Sequence, residues 1–352
     1  MSANFDVDFW KNKKVFITGA KSFTGAWLCQ KLLSLSAEVF AFGDVVSTEN
    51  RNTKPQLSQN LFDLLGLGLK VRLTEGSLLD KEFLAETLNF AQADIVIHLG
   101  ENSSLRLEGQ DASELIRKEV LGTANLMELL RETASVRAIV VLSSDKVYAR
   151  NAEHGAHKES DCVAAQEISV TAKLCAELVA TSYRHQFFHP QKYNKHKIAI
   201  STLRACRPYG AGDFSGQSLL FDLALAAQNG EALEIRNPNS VRPWLHIEDY
   251  LSGVLTLAQG LYERGPKLEP VYNLFATEIA SVLEVAKAFE KNWGAPTGTL
   301  IQVSEGAKVQ NFSLHNELSI EQLKKDLQWQ PIIVLQDGVR EIAEWYRAHL
   351  KI

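Results

Sequence analysis

The sequence predicts an α/β protein, a doubly wound parallel sheet carrying a smaller C-terminal substrate-binding lobe. Three observations carry this expectation. Short apolar, β-branched runs alternate with helix-length amphipathic stretches as far as Arg204, the rhythm of successive βαβ units. The first run opens into small residues at fixed offsets, Gly19, Ser22 and Gly25. A later run closes on four consecutive polar residues, Ser143, Ser144, Asp145 and Lys146, which seldom serve only a strand's packing.

Val15, Phe16 and Ile17 suit a buried parallel strand, and Gly19, Ser22 and Gly25 follow it as a Rossmann-type dinucleotide-binding crossover would place them. The first small residue permits a tight turn and the last lets helix and strand approach. The free N–H groups of the helix end that follows face a pyrophosphate, and Phe23 is expected among the cofactor contacts. Serine at the middle position holds the backbone further from the phosphates. A helix over residues 27–35 and a strand over 38–42 lead to Asp44, placed to grip the adenosine ribose and so to favour NAD over NADP, or else to cap a turn after Gly43.

Residues 61–69 read as a short helical or loop element and 70–73 as the third strand. A helix then begins near Asp80, with Leu84, Leu88 and Phe90 on one apolar side. Ser77 stands where such folds often present an aspartate to adenine. The apolar strand over 93–99 ends at His98, Leu99 and Gly100, whose small residue lets a dinucleotide lie close. A helix over 112–131 and a strand over 138–142 deliver the Ser143–Lys146 run to the same sheet edge. There Ser144 can donate to a sugar oxygen, and Asp145 with Lys146 forms an acid/base pair or, more blandly, a surface salt bridge.

The polar stretch 151–163 is an excursion at the site edge. Its His154 and His157 flank Gly155 and make no metal site. A helix over 168–184 carries Lys173 and a narrow face of Ala172, Ala176 and Ala180. Residues 185–197, interrupted by Pro190, read as a solvated loop. The strand over 198–203 gives Arg204 and Arg207 before PYGAGD, a diphosphate clamp unless Arg207 pairs with Asp213.

The division expected is a dinucleotide-binding domain over 1–213 and a substrate-binding lobe over 214–352, with segments returning to the first domain. In the lobe, Arg236, Arg242, Trp244 and His246 gather in one stretch, a combination suited to nucleotide phosphate and base. Helices are expected over 219–228, 254–261 and 279–293, strands over 233–235 and 271–274, and a helix, proline turn and helix at the end.

Composition narrows the classes. With 42 acidic against 37 basic residues the net charge is -5, no footprint for nucleic acid. No apolar run is long enough to span a bilayer, and the N-terminus has no secretory pattern, so a cytoplasmic protein is expected. Cys29, Cys162, Cys175 and Cys206 show neither metal-type nor redox spacing and are expected to serve packing.

With FWKNKKVFITG, FTGAW, GTANLMELL, SSDKVY, AKLCAEL, IRNPNSVRPWLH, LSGVLTLAQGLY and EWYRAH in place, the chain resembles the CDP-glucose 4,6-dehydratases of the extended short-chain dehydrogenase/reductase superfamily over essentially its whole length. The resemblance implies a bound NAD that oxidises the glucose C4 hydroxyl, assists loss of water across C5 and C6, and returns hydride to C6. It implies that Ser144 contacts O4, that Asp145 protonates leaving hydroxide and that Lys146 acts at C5. Lys173 would hold the nicotinamide ribose and activate a tyrosine four residues earlier. It also implies a homodimer through the helices over 112–131 and 168–184.

The chain departs from that pattern. Ser169 stands at the tyrosine position, and an alcohol without the phenol's tunable pKa, near 10 when unperturbed, needs a separate base. Ser22 replaces a glycine, Ser77 an aspartate, and Glu119 and Arg207 each an asparagine. The expectation is a sugar-nucleotide-binding protein deficient in conventional C4 oxidation, with NAD weakly held or absent. The alternative is an active NAD-dependent nucleotide-sugar dehydratase or epimerase with rearranged acid/base chemistry.

Overall fold

The computed structural model describes residues 5–43, 60–100, 111–149, 155–304 and 317–350. The chain runs β1 (Lys14–Thr18), α1 (Phe23–Ser34), β2 (Glu38–Gly43), α2 (Leu61–Leu64), β3 (Arg72–Glu75), α3 (Lys81–Ala91) and β4 (Ile95–His98). It continues through α4 (Ala112–Ile116), a π-helical turn (Arg117–Leu121), α5 (Gly122–Leu130), β5 (Ala138–Ser144), α6 (Ile168–Gln186), α7 (Tyr193–His196) and β6 (Ala199–Ala205). The remaining elements are β7 (Pro208–Tyr209), α8 (Leu219–Asn229), β8 (Leu233–Ile235), β9 (Val241–Pro243), β10 (Leu245–His246) and α9 (Ile247–Arg264). After them come β11 (Val271–Leu274), β12 (Ile279–Ser281), α10 (Val282–Trp293), β13 (Ile301–Val303), α11 (Glu321–Leu327) and α12 (Leu335–His349).

Seven strands form one parallel sheet in the order β11-β6-β5-β4-β1-β2-β3. The order reverses between β1 and β4, so the ligand crevice of such a sheet opens over the carboxyl ends of those two strands, at Gly19 and Gly100. Both faces are covered, which is why the strands read as continuous apolar runs. Phe16, Val96, Ile139 and Val141 pack toward α3, α5 and α6, while Val15, Ile97 and Val140 meet α1 and α9. A third core joins α8, α10 and α12 around Phe221, Val285, Phe289, Val339 and Tyr346. The edge strand β11 and helix α9 come from the C-terminal part of the chain yet complete the large sheet's layer.

Several local expectations change. Leu84 and Leu88 are buried, but their helix inserts Thr87 and Ala91 beside them and leaves Phe90 68% exposed, because Phe90 falls on the outer face against Phe40's ring edge. The helix over 112–131 is interrupted by the π turn, an extra residue per turn that rotates Glu119 inward. Residues 190–196 are not plain loop but a 3-10 turn and α7, started by His189 capping Gln191. Arg204 is no diphosphate ligand: it is buried, ion-paired to Glu177 at 2.6 Å, and donates to the Tyr148 hydroxyl at 2.9 Å. Cys29 and Cys206 are buried, but Cys162 is exposed and does not serve packing.

Candidate active site

At the β1 end of the crevice, backbone meets backbone. Gly19 has φ +69°, and a Cβ there would stand 2.5 Å from the carbonyl oxygen of Gly100. A Cβ on Gly25 would stand 2.3 Å from the Gly19 oxygen and 2.8 Å from Ala20. Ser22 caps α1, its Oγ accepting the Gly25 N–H at 3.0 Å. That leaves the Phe23 and Thr24 amides as the helix's open donors, a place for a phosphate. Lys21 reaches across the end of β2 to Glu75. Ser77 caps a turn by accepting from the Leu79 N–H at 3.2 Å. Asp44 lies outside the described residues.

At the β4 end, charged side chains take the place of backbone. Lys173, on α6, donates from Nζ to Glu119 Oε1 at 3.1 Å and more weakly to the Leu99 oxygen at 3.4 Å. Glu119 is 2% exposed in its side chain and Lys173 12%. Gly100 has φ +73°, and a Cβ on it would lie 2.7 Å from Glu119 Oε2 and 3.0 Å from Lys173 Nζ.

A buried hydrogen-bond chain holds Glu119 in place. Thr123 donates to the Glu119 carbonyl at 2.6 Å, so its hydroxyl proton is spent and it accepts from His98 Nε2 at 2.9 Å. His98 Nδ1 is then the acceptor for the Thr18 hydroxyl at 2.7 Å. Burial, with the Lys173 ammonium adding to it, pushes the His98 pKa down to about 3, so the ring is neutral. Thr18 and His98 are the last residues of β1 and β4, paired in register.

Along the β5 edge, Ser143 is buried and its Oγ has no hydrogen-bond partner. By strand alternation it continues Ile139 and Val141 toward the α6 face. Ser144 donates to Asp145 Oδ1 at 3.1 Å and accepts from the Lys146 N–H. Burial raises the Asp145 pKa to about 6, against the opposing pull of Ser144 and Lys146. Lys146 turns outward instead of pairing with Asp145; its Nζ meets Glu167 Oε2 at 3.2 Å on the surface. Ser169 sits in the first turn of α6, one turn ahead of Lys173.

In the lobe, Arg207 Nη2 pairs with Asp213 at 2.7 Å and Ser215 at 2.8 Å, while Nη1 meets Gln217. Arg242, on β9, has its pKa lowered by burial and by the charge of Arg207, so the two cations lie within reach of one field. Trp244 donates from its indole N–H to the Ala280 oxygen and packs edge-on against Tyr209. Arg236 is exposed just beyond β8. His246 packs edge-on against the same Tyr209 ring; it is buried, caps α9 by accepting from the Glu248 N–H, and is pushed down to a pKa of about 4 by burial.

The sequence profile of the NAD dependent epimerase/dehydratase family matches residues 15–274, spanning both ends of the crevice and Arg242. The chain belongs to this family. A curated relative, the CDP-glucose 4,6-dehydratase of Salmonella typhimurium, is 28% identical over 98% of this chain and 94% of its own length. The dTDP-4-dehydro-6-deoxy-D-allose reductase of Streptomyces bikiniensis is 26% identical over 98% and 99%. Among solved structures, the Bacillus cereus UDP-glucuronic acid 4-epimerase with UDP-glucuronic acid and NAD aligns at a TM-score of 0.75 with 20% identity, covering 95% of this chain and 99% of that one. The NAD complex of the Bacillus anthracis dTDP-glucose 4,6-dehydratase aligns at 0.72 with 18% identity, covering 96% and 97%. The last two likenesses carry the fold.

For this family member the dinucleotide crevice divides. The Gly19–Gly25 turn fits a pyrophosphate, since its close contacts are backbone and α1 leaves two amides open. At the other end the Glu119 and Lys173 heads stand directly over Gly100. Sequence reasoning met Glu119 only as a departure from an asparagine, and it gave Thr18, His98 and Thr123 no role. A signal was available: apolar strands that end in Thr18 and His98 place a hydroxyl and an imidazole at neighbouring sheet positions. Among the described residues no group of three or more His, Cys, Asp or Glu could hold a metal, and no helix is long and apolar enough to cross a membrane.

Proposed function

We propose that the chain is a nucleotide-sugar-binding member of its family, with CDP-linked sugars favoured, that is deficient in conventional C4 oxidation. The first turn of α6 carries this reading: Ser169 precedes Lys173 by one turn, and the Lys173 ammonium is engaged by Glu119. A serine alcohol in that position needs a separate base, and a protonated lysine accepts no proton. Sugar-nucleotide binding is supported by Arg207, paired with Asp213, by Arg242 within reach of its charge, and by the unpartnered Ser143 hydroxyl. The likeness to a CDP-glucose 4,6-dehydratase supports the cytidine.

The same reading takes NAD as the cofactor, weakly held, and a cytoplasmic homodimer. Exposed Ile116, Leu121, Ile168 and Leu178 on α4, the π turn and α6 support the dimer face. Asp145 favours a second reading, an active NAD-dependent 4,6-dehydratase with rearranged acid/base chemistry. A carboxyl with a pKa of about 6 is poised to donate or accept a proton near neutrality.

Calorimetry with CDP, CDP-glucose, UDP-glucose and dTDP-glucose tests binding, and silence from all four rejects the proposal. Incubating the native protein and Ser169→Tyr with NAD and CDP-glucose separates the readings. Robust native formation of the 4-keto-6-deoxy product, seen by mass spectrometry, establishes the active enzyme; product only after replacement supports the missing phenol.

A further inference from the structure

We infer that the Glu119–Lys173 ion pair closes the nicotinamide end of the crevice, so that the chain grips the adenosine diphosphate half of a dinucleotide and gains no affinity from the other half. This rests on the dinucleotide crevice of the proposed function and is independent of its sugar site.

The sheet order decides which half lies where. A dinucleotide crosses the switch point with its pyrophosphate on the α1 N-terminus and its adenosine toward β2, so its other nucleoside lies over the end of β4. That strand end is Gly100, where a Cβ would stand 2.7 Å from Glu119 Oε2 and 3.0 Å from Lys173 Nζ. The space a glycine there leaves against the backbone is taken up by the two charged heads.

The pair is costly to open. A ribose hydroxyl replacing Glu119 on Lys173 exchanges a charge-assisted bond for a neutral one, and leaves a carboxylate that is 2% exposed without its cation. The backbone behind Glu119 is fixed, so only its carboxylate head can move, at the cost of the ion pair. Glu119 is presented by the π turn, whose carbonyl at Glu119 is bonded to Thr123, and Thr123 is tied through His98 to Thr18 on β1. At the other end Ser22 consumes only the Gly25 amide of the α1 terminus, and the Lys21–Glu75 pair across the end of β2 has its carboxylate 44% exposed, so water compensates its opening.

The test is calorimetric, with the full chain and two probes, ADP and NAD. In the native protein the two dissociation constants are expected to agree within about threefold. Glu119→Asn, shorter and uncharged, is expected to tighten NAD by about tenfold relative to ADP while ADP itself is unchanged. Retained ADP binding reports that the variant is folded, and Glu119→Gln repeats the measurement at native side-chain length. Native NAD binding about tenfold or more tighter than ADP overturns the inference, as does an unchanged NAD-to-ADP ratio in both variants. Absence of binding by ADP overturns it too, by removing the adenosine half. CDP-glucose titrated into the same preparation reports separately on the sugar site.

Discussion

The two ends of the crevice are built from different materials. At β1, two glycines bring backbone onto backbone: Gly25 faces the Gly19 carbonyl, and Gly19 faces the Gly100 carbonyl. At β4, the glycine faces a carboxylate and an ammonium. Backbone contacts tolerate no added atom, whereas side-chain heads can move at an electrostatic cost. The first end is therefore set by shape, and the second by charge.

The largest effect that sharpens this contrast is Gly25→Ala, whose methyl meets main chain at 2.3 Å. A loss of more than about 3 kcal/mol in urea unfolding is expected. Gly100→Ala meets movable heads and is expected to cost about 1–2 kcal/mol, most of it from its positive φ. Equal losses at the two glycines would erase the distinction.

Next in size is Lys173→Met, which strands the Glu119 carboxylate in the interior and should cost about 3 kcal/mol. Adding Glu119→Gln should restore most of that loss, because a pair removed together leaves no buried charge. Strictly additive losses in this double-mutant cycle would contradict a charge-set end.

Thr123→Val interrupts the chain from Thr18 to Glu119 and is expected to cost about 1–2 kcal/mol by leaving His98 Nε2–H unpaired. Nitrogen NMR of the native imidazole checks the premise directly. A neutral ring protonated at Nε2 is expected down to pH 5, and a protonated ring at neutral pH would refute it.

The smallest effect is electrostatic and pH-dependent. Asp145 has a pKa of about 6 in the fold against 3.8 as its ordinary value, so its ionised form weakens the fold above pH 6 and protonation relieves the strain below it. Asp145→Asn should be more stable than native by about 1 kcal/mol at pH 7, discounted for partial exposure. The advantage should shrink as pH falls through 6 and vanish by about pH 4. A difference that does not vary with pH would assign the effect to packing.

Much of the fold was legible in short stretches. The strand over 271–274 lies where expected, and the turn at Gly19 and Gly25 has the close approach its spacing implied. Ser169 and Lys173 were readable as one helical turn apart. Misreadings arose where a residue's partner is distant in sequence. Arg204 looked available to a phosphate until Glu177 and Tyr148 proved to hold it. Arg207's pairing with Asp213, six residues away, could be foreseen as an alternative.

The sequence by itself determined the alternation of strand and helix, the glycine turn and the missing phenol, because periodicity, backbone freedom and side-chain identity are local properties. Only the tertiary structure decided that Glu119 meets Lys173, 54 residues away, and that Lys146 leaves Asp145 for Glu167. Those choices depend on which helix faces which strand end, and on a π turn that rotates one carboxylate into the interior. In the dry setting of Glu119 and Lys173 the nearest opposite charge governs, whereas Lys146 meets Glu167 at the surface.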